Sequence, residues 1–390
     1  MKKLHINWQD GMKVNQEHFL GMEHAMRNEL LEHTSFRLNS YNYGLTPTKG
    51  AGPSWDLFFK LDQSNDIVLN LLACQAITPG GAFVDISPEQ QHLAEYRISR
   101  GQIVERLQSS RDEAIYVVLN LDVYNKKAYG ETLPGEQSPR QPFTVPTAYL
   151  TIANYPEVSH ASSNGISQLI VGRIVQANNQ LRLDENYIPP CATVHASSRL
   201  SAHFDEWARG LEGQLFNNLR KTLTRIEEVE KEGDHSITFS GSGRKTSLSG
   251  AVRALTIALM EGLAEIAPRF PLLKEQPFLF TVAALKELAW KMNVRYLCLN
   301  TSNQKDLENY LSESVGVKNL TELLDKTIAF RYEHDRIDLA VDACRRFVEF
   351  LHTLYDGDRG LPVQNFSWKK PDMPIEIIDS RERPKTTLDD

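Results

Sequence analysis

Ser240-Gly241-Ser242-Gly243-Arg244-Lys245-Thr246-Ser247 is the stretch of this 390-residue chain that comes nearest to a phosphate-binding loop. A P-loop needs Gly directly before its Lys, so that the backbone can curl around the phosphates, and it follows a strand. Here Arg244 intervenes and no strong strand precedes, so the segment reads as an interhelix loop with a helix-capping Thr246 or Ser247. His18 and His24 lie six residues apart, which does not place two ligands on one helical face as an i, i+4 pair would. Cys74, Cys191, Cys298 and Cys344 form no CxxC pair and read as small buried hydrophobes in a reducing compartment. Arg331-Tyr332-Glu333-His334-Asp335-Arg336 is dense in titratable groups and reads as a charged helix start. Asp112-Glu113 and Asp184-Glu185 are adjacent pairs, which point apart in a strand, and nothing selects two facing carboxylates as a glycosidase needs. With no HExxH, GxSxG or SxxK motif either, the sequence assigns no catalytic residue, no metal ligand and no cofactor.

The elements around these residues divide by texture. Phe19, Met22, Met26 and Leu30 recur at helical spacing, and a Gly/Pro/Asn-rich loop from Asn39 to Pro53 follows. From Ser54 to Pro190 the pattern is β. Ile67–Leu72, Ala114–Tyr124 and Leu169–Val175 are apolar runs, and the last continues through Asn178-Asn179 into Gln180–Leu183 as a hairpin. Gly80-Gly81 marks another turn, and Tyr129–Pro146, with four prolines, reads as a long loop. No regular helices alternate with these strands, so an antiparallel sandwich is expected rather than a βαβ fold. After Pro189-Pro190, Leu200, Phe204, Trp207, Leu211, Leu215, Leu219, Leu223, Ile226 and Val229 predict one helix of over 30 residues, broken by Lys231–Gly243. Two more helices, Leu248–Ile266 and Phe278–Met292, make a bundle with it. Leu307–Leu324 reads as helical in pieces, and Ile337–Tyr355 as one amphipathic helix.

Lys and Arg total 43 against 50 Asp and Glu, a formal charge of −7, which argues against a nucleic-acid binder held by a general positive field. No apolar run is long enough to span a bilayer, and the opening Met1–Asp10 lacks the apolar stretch of a secretory signal, so a cytoplasmic location without membrane insertion is expected.

Two segments say more. Asn7-Trp8-Gln9-Asp10-Gly11-Met12-Lys13-Val14-Asn15-Gln16-Glu17-His18-Phe19 resembles the opening of the TssK family (also ImpJ or VasE) of type VI secretion baseplate subunits, through Trp8, Gly11, Met12, His18 and Phe19. Asn15 and Gln16 stand where that family tends to have Pro and Gln, with Glu17 shifting the run. Tyr187-Ile188-Pro189-Pro190 resembles the family segment that leads from the β-domain into the long helices, and Tyr43-Gly44-Leu45 and Ile77-Thr78-Pro79-Gly80-Gly81 are weaker echoes. The likeness spans residues 1–300.

The resemblance implies a phage-like architecture and a non-enzymatic role. The expected fold is α+β: an N-terminal docking segment and helix (1–40), an antiparallel β-sandwich shoulder (41–195), a long-helix bundle stalk (196–300), a reduced, mainly helical C-terminal domain (301–360) in place of the family's β-rich head, and a flexible tail (361–390). The missing β head suggests a divergent subtype, such as the Bacteroidota kind. The implied role is an adaptor between the baseplate wedge proteins TssF and TssG and the membrane complex, TssL/TssM or a replacement, so that the protein docks at the inner membrane through partners. Trp8, Gly11, Met12, His18 and Phe19 are the expected wedge contacts, although Trp8 and Phe19 also suit a staple at the helix entry. A homotrimer is expected, with Leu200, Phe204, Trp207, Leu211 and Leu215 as its seam, because so long an apolar stripe looks unpaired. The C-terminal tail is the expected contact with the membrane complex. Two other classes stay open on the residues: a phage-type receptor-binding protein, and a soluble hydrolase with a pocket in the β-domain.

Overall fold

The computed structural model describes residues 4–48, 50, 52–64, 66–87, 94–110, 114–132, 140–155, 166–178, 180–232, 248–314, 316 and 319–356. Ser240–Ser247, Asp112-Glu113 and the 361–390 tail lie outside the described residues.

Helix α1 (Gln16–Ser35) precedes two antiparallel sheets. In the first, the long central strand β3 (Asp66–Ile77) pairs with β1 (Gly44–Leu45), β2 (Trp55–Leu61), β4 (Phe83–Ile86) and β5 (Ala94–Ser99). After α2 (Arg100–Ser109) the second sheet runs in the order β7-β6-β8-β9, from β6 (Ala114–Tyr129), β7 (Phe143–Ala153), β8 (Ile166–Ala177) and β9 (Gln180–Leu183). The two sheets share one core. Leu57, Ile67, Leu69 and Leu71 of the first face Ile115, Val117, Leu119 and Leu121 of the second. At Gly172 the approach is so close that a Cβ would lie 2.4 Å from Leu57 Cδ2.

Strand β6 is buried on both faces over its first half, because alternate residues point to opposite sides. Its odd residues enter the inter-sheet core. Tyr116 and Val118 instead meet Ile170 and Tyr187 in a second, smaller cluster. The β8–β9 hairpin forms as the sequence predicts, with Asn178 at φ 50°. Two local expectations are corrected. Phe143–Pro146 is strand rather than loop; Pro146 is tolerated because β7 is an edge strand and has no ladder donor to lose there. α2 stands inside the β-region, where only strands were read. Ser99 accepts from the Gln102 N–H at its start, and Ile103 and Leu107, one turn apart, are buried.

The C-terminal half is helical: α3 (Ser198–Arg209), α4 (Phe216–Glu232), α5 (Leu248–Ile266), α6 (Phe270–Lys274), α7 (Phe278–Leu297), α8 (Thr301–Ser314), α9 (Leu320–Ala329) and α10 (Ile337–Leu354). Among the described residues of 301–356 there is no strand. The expected single helix from Leu200 onward is interrupted by a π-helical turn, Gly210–Leu215. There α10 presses in, and a Cβ on Gly210 would stand 2.8 Å from His352 Nε2.

The apolar stripe expected to form a trimer seam is covered within the chain itself. Leu200, Phe204, Trp207, Leu211 and Leu215 are all buried inside this one chain. Phe204 meets Phe270 edge-on at 5.9 Å between ring centroids, and Trp207 lies 6.3 Å from Phe278, so α6 and α7 cover the stripe. The expectation that Cys residues are buried holds for Cys74, Cys191 and Cys344, whereas Cys298, just past the end of α7, is exposed.

Candidate functional site

The N-terminal motif folds back on the helix that follows it. Asn15 caps α1: its Oδ1 accepts from the His18 N–H, and its own N–H donates to His18 Nδ1, both at 3.2 Å. The motif histidine thus closes a capping box, which satisfies two otherwise orphan groups. Upstream, the Met12 N–H bonds Gln9 O at 3.2 Å, and Gly11 takes a positive φ of 80° that only Gly adopts without strain. This turn brings Trp8 within 6.0 Å of the His18 ring and 6.5 Å of the Phe19 ring. His5 bonds Glu29 at 2.9 Å and Ile6 packs on Gly21, so residues 5–8 lie antiparallel along α1. Trp8, His18 and Phe19 are brought together; Gly11 and Met12 form the turn that does it.

α1 reaches the second sheet through its polar residues. The Tyr124 hydroxyl donates to Asn28, the His24 ring meets Tyr124 edge-on at 5.0 Å, and Lys126 bonds Glu23. The Lys126 hydrogen bond holds the Glu23 carboxyl below its ordinary range. Ala25 is the buried residue of the helix, and its C-terminal end rests on the turn at Gly81. Phe19, Met26 and Leu30, at steps of seven and four, therefore point outward at 55%, 55% and 67% exposure, with Trp8 beside them at 47% and Phe36 beyond. Sequence reasoning found the helical spacing but not that this apolar stripe faces away from the core. The available signal was the polar set Glu23, His24 and Asn28 on the other side.

A second constellation joins the β-region to the helices. Two of the resemblance-bearing segments meet here: the Leu45 N–H donates to Pro190 O at 2.7 Å, and the Ala192 N–H to Leu45 O at 2.8 Å. Gly44 is required, since a Cβ there would lie 2.0 Å from Pro190 O. Tyr43 then donates to Asp335 Oδ1 at 2.7 Å, Tyr187 to the Asp335 carbonyl at 3.2 Å, and His334 bridges Tyr43 O and the Tyr332 hydroxyl, both at 2.8 Å. Arg173 lies between Asp184, at 2.5 Å, and Asp338, at 2.7 Å, and its guanidinium sits 5.1 Å over the Tyr187 ring. Burial lowers the pKa of that guanidinium, but the two carboxylates more than offset this and hold it protonated. Burial, with Asp335 nearby, pushes the Tyr43 and Tyr187 phenols well up, and Tyr155 up to about 12.

His334 and Asp335 are thus buried, not a solvated helix start as the sequence reading had it. Asp184 is committed to Arg173, and Glu185 is exposed, so that pair does not converge as a glycosidase pair would. A cleft of about 540 Å³ opens beside the seam, lined by Tyr41, Tyr155, Leu279 and Glu333 among others. The seam is a network of hydrogen bonds and ion pairs that holds two halves of the chain in one arrangement.

Neither a family model nor a curated protein matches the sequence. Solved structures do share its fold. A chain of the baseplate complex from the type VI secretion system superposes with a TM-score of 0.53 at 15% identity, covering 90% of this chain and 70% of that one. The fold resembles that of a type VI secretion baseplate chain. TssK in a TssK–TssF–TssG baseplate subcomplex superposes at a TM-score of 0.49 over 90% of this chain and 100% of that one, and a crystal structure of TssK at 0.48 over 89% and 68%, each at 15% identity. Among the described residues, no helix is long and apolar enough to cross a membrane, and no group of three or more His, Cys, Asp or Glu is set to hold a metal.

Proposed function

We propose that this chain is a non-enzymatic structural adaptor of a type VI secretion baseplate, a member of the TssK family whose C-terminal head is replaced by helices. The carrying observation is α1, tethered to the sheet by polar contacts while it presents Trp8, Phe19, Met26 and Leu30 outward. An exposed apolar stripe on an anchored helix is a docking face, and each large side chain that a partner covers contributes roughly 1.5–3 kcal/mol. The partners are the wedge proteins, counterparts of the TssF and TssG found with TssK in the similar complex. The fold likeness and the Trp8–Phe19 motif support this choice. The opposite end of the chain faces the membrane complex, TssL/TssM or its replacement, from a cytoplasmic position.

In this reading the chain is a homotrimer, but not through the buried stripe of α3. The helical face left for other copies is the outer side of α7, where Trp290, Val294 and Leu297 are exposed about one turn apart.

The test is reconstitution of the full chain with TssF- and TssG-like wedge proteins from the same genome. Wild type forms a stable complex on size exclusion, and Trp8→Ala and Met26→Asp lose it with melting temperatures near wild type. No complex with wild type refutes the reading. A large loss of melting temperature in Trp8→Ala with binding intact assigns Trp8 to stapling the helix entry instead.

A further inference from the structure

Helices α9 and α10 leave a groove between them of about 800 Å³. Its apolar walls are Leu323 and Phe330 on one side and Leu339, Ala343 and Phe350 on the other, and Leu339 is 42% exposed. The charges along its rim are already paired within their own helices. Lys326 bonds Glu322 at 2.6 Å, and Arg346 bonds Asp342 at 2.6 Å. A groove with an apolar floor and a self-neutralised rim offers nothing to a charged ligand and selects an uncharged, apolar segment.

The chain itself supplies such a segment close by. α10 forms one wall of the groove and ends at Leu354, and Asp356 is the last described residue before the C-terminal stretch. Five residues further on begins Leu361-Pro362-Val363-Gln364-Asn365-Phe366-Ser367-Trp368, eight residues without a charge, bounded by Asp358-Arg359 on one side and Lys369-Lys370 on the other. Gly357 and Gly360 before it are residue types that permit a chain reversal. The distances allow the fit. Phe350 lies about 9 Å of helix rise before Asp356, and the wall from Phe350 back to Leu339 is about 16 Å long. The four linking residues, five Cα steps from Asp356 to Leu361, reach roughly 17 Å, and eight extended residues span roughly 26 Å.

We propose that Leu361–Trp368 returns along α10 and fills the α9–α10 groove of its own chain, with Phe366 and Trp368 as the aromatic anchors. The baseplate reading is not needed for this. The docked segment shields Leu339 and Phe330, and the charged residues after Trp368 are left outside the groove as a separate stretch.

The experiment places the photocrosslinker p-benzoylphenylalanine at position 339 of the full chain, a partly exposed site that tolerates it. After irradiation, the crosslinked peptides are mapped by mass spectrometry. The expected product is an intrachain link from position 339 to the peptide containing Leu361–Trp368. Its yield should fall about tenfold or more when Phe366 and Trp368 are both replaced by Ser, since a few buried aromatic anchors carry most of such an interaction. As a second readout, hydrogen exchange of α9 rises equally in the Phe366→Ser/Trp368→Ser and Leu339→Asp full-length variants, with α3 to α7 unchanged. Links to another copy, links to other peptides, no link, or a yield indifferent to the double substitution each overturn the proposal.

Discussion

The Tyr43 hydroxyl donates a 2.7 Å hydrogen bond to Asp335 across 292 residues of sequence, and this bond pins the start of the first sheet to the turn that launches α10. Both groups are buried, each about 5% exposed. Tyr43→Phe removes the donor and leaves a buried carboxylate short of a hydrogen bond, at an expected cost of about 1–3 kcal/mol. Urea unfolding of the variant measures it; a midpoint equal to wild type would mean that the bond contributes nothing.

The tyrosines of the fold set an alkaline limit. Burial raises the Tyr43, Tyr187 and Tyr332 phenols and brings Tyr155 and Tyr296 to about 12, against an ordinary value of 10.0. The unfolded chain ionises first, so the stabilisation from these groups is complete below pH 10 and is lost as pH rises through the folded values. Melting temperature should hold from pH 7 to 9 and decline from about pH 10 upward, with tyrosinate absorbance appearing together with unfolding. Full tyrosinate absorbance in the folded protein at pH 11 would contradict this.

Arg173 holds two carboxylates from different parts of the chain, Asp184 next to β9 and Asp338 on α10. Arg173→Met leaves both partly buried acids uncompensated. Breaking a buried pair from one side costs about 3–5 kcal/mol, and the partial exposure of these carboxylates places the expected loss toward the lower end of that range. Adding Asp184→Asn and Asp338→Asn to Arg173→Met should recover much of it, which the same unfolding series reads directly.

Gly172 has no room for a methyl group, with Leu57 Cδ2 at 2.4 Å from its would-be Cβ. Gly172→Ala should destabilise by about 1–3 kcal/mol through overpacking between the sheets. Leu57→Ala in the same chain should restore part of that loss, so the pair is non-additive in a double-mutant cycle.

The tether of α1 responds to acid. Lys126 lowers the Glu23 pKa from its ordinary 4.5, so the contribution of this contact is present above pH 4.5 and disappears as pH falls through the lowered value. The protection of α1 amides relative to their intrinsic exchange rates should fall below pH 4.5 in wild type, and already at neutral pH in Lys126→Ala, ahead of any change in β6.

What the sequence disclosed follows from how local each signal is. β6 was readable because a run such as Ile115–Leu121 is apolar on both faces, and both faces are covered. The stripe from Leu200 to Leu215 was readable as a helix, but the identity of its cover was not, because Phe270 and Phe278 carry no local mark of what they will meet. His334 and Asp335 looked like a charged helix start, since their partner Tyr43 lies 291 and 292 residues away in sequence. The Trp8–Phe19 motif was legible through its residue types. The outward direction of Met26 and Leu30 was not, for it depends on Tyr124 and Lys126 gripping the opposite face of the helix.

The π-helical turn from Gly210 to Leu215 is a phase corrector. Leu200, Phe204, Trp207 and Leu211 follow steps of four, three and four, and then Leu215 and Leu219 come at two further steps of four. Successive steps of four carry a regular α-helix steadily off its facing direction, because four residues exceed one turn of 3.6. The wider π turn absorbs that excess at a single place, so α3 and α4 turn the same side inward over their whole length. Excising the exposed Glu212 would turn the steps into four, three, four, three and four, so the helix would run regular with Leu215, Leu219 and Ile226 still facing the core. A one-residue deletion in this turn would then be milder than most substitutions of the buried leucines, whereas the same deletion in the regular part of α4 would rotate every leucine after it.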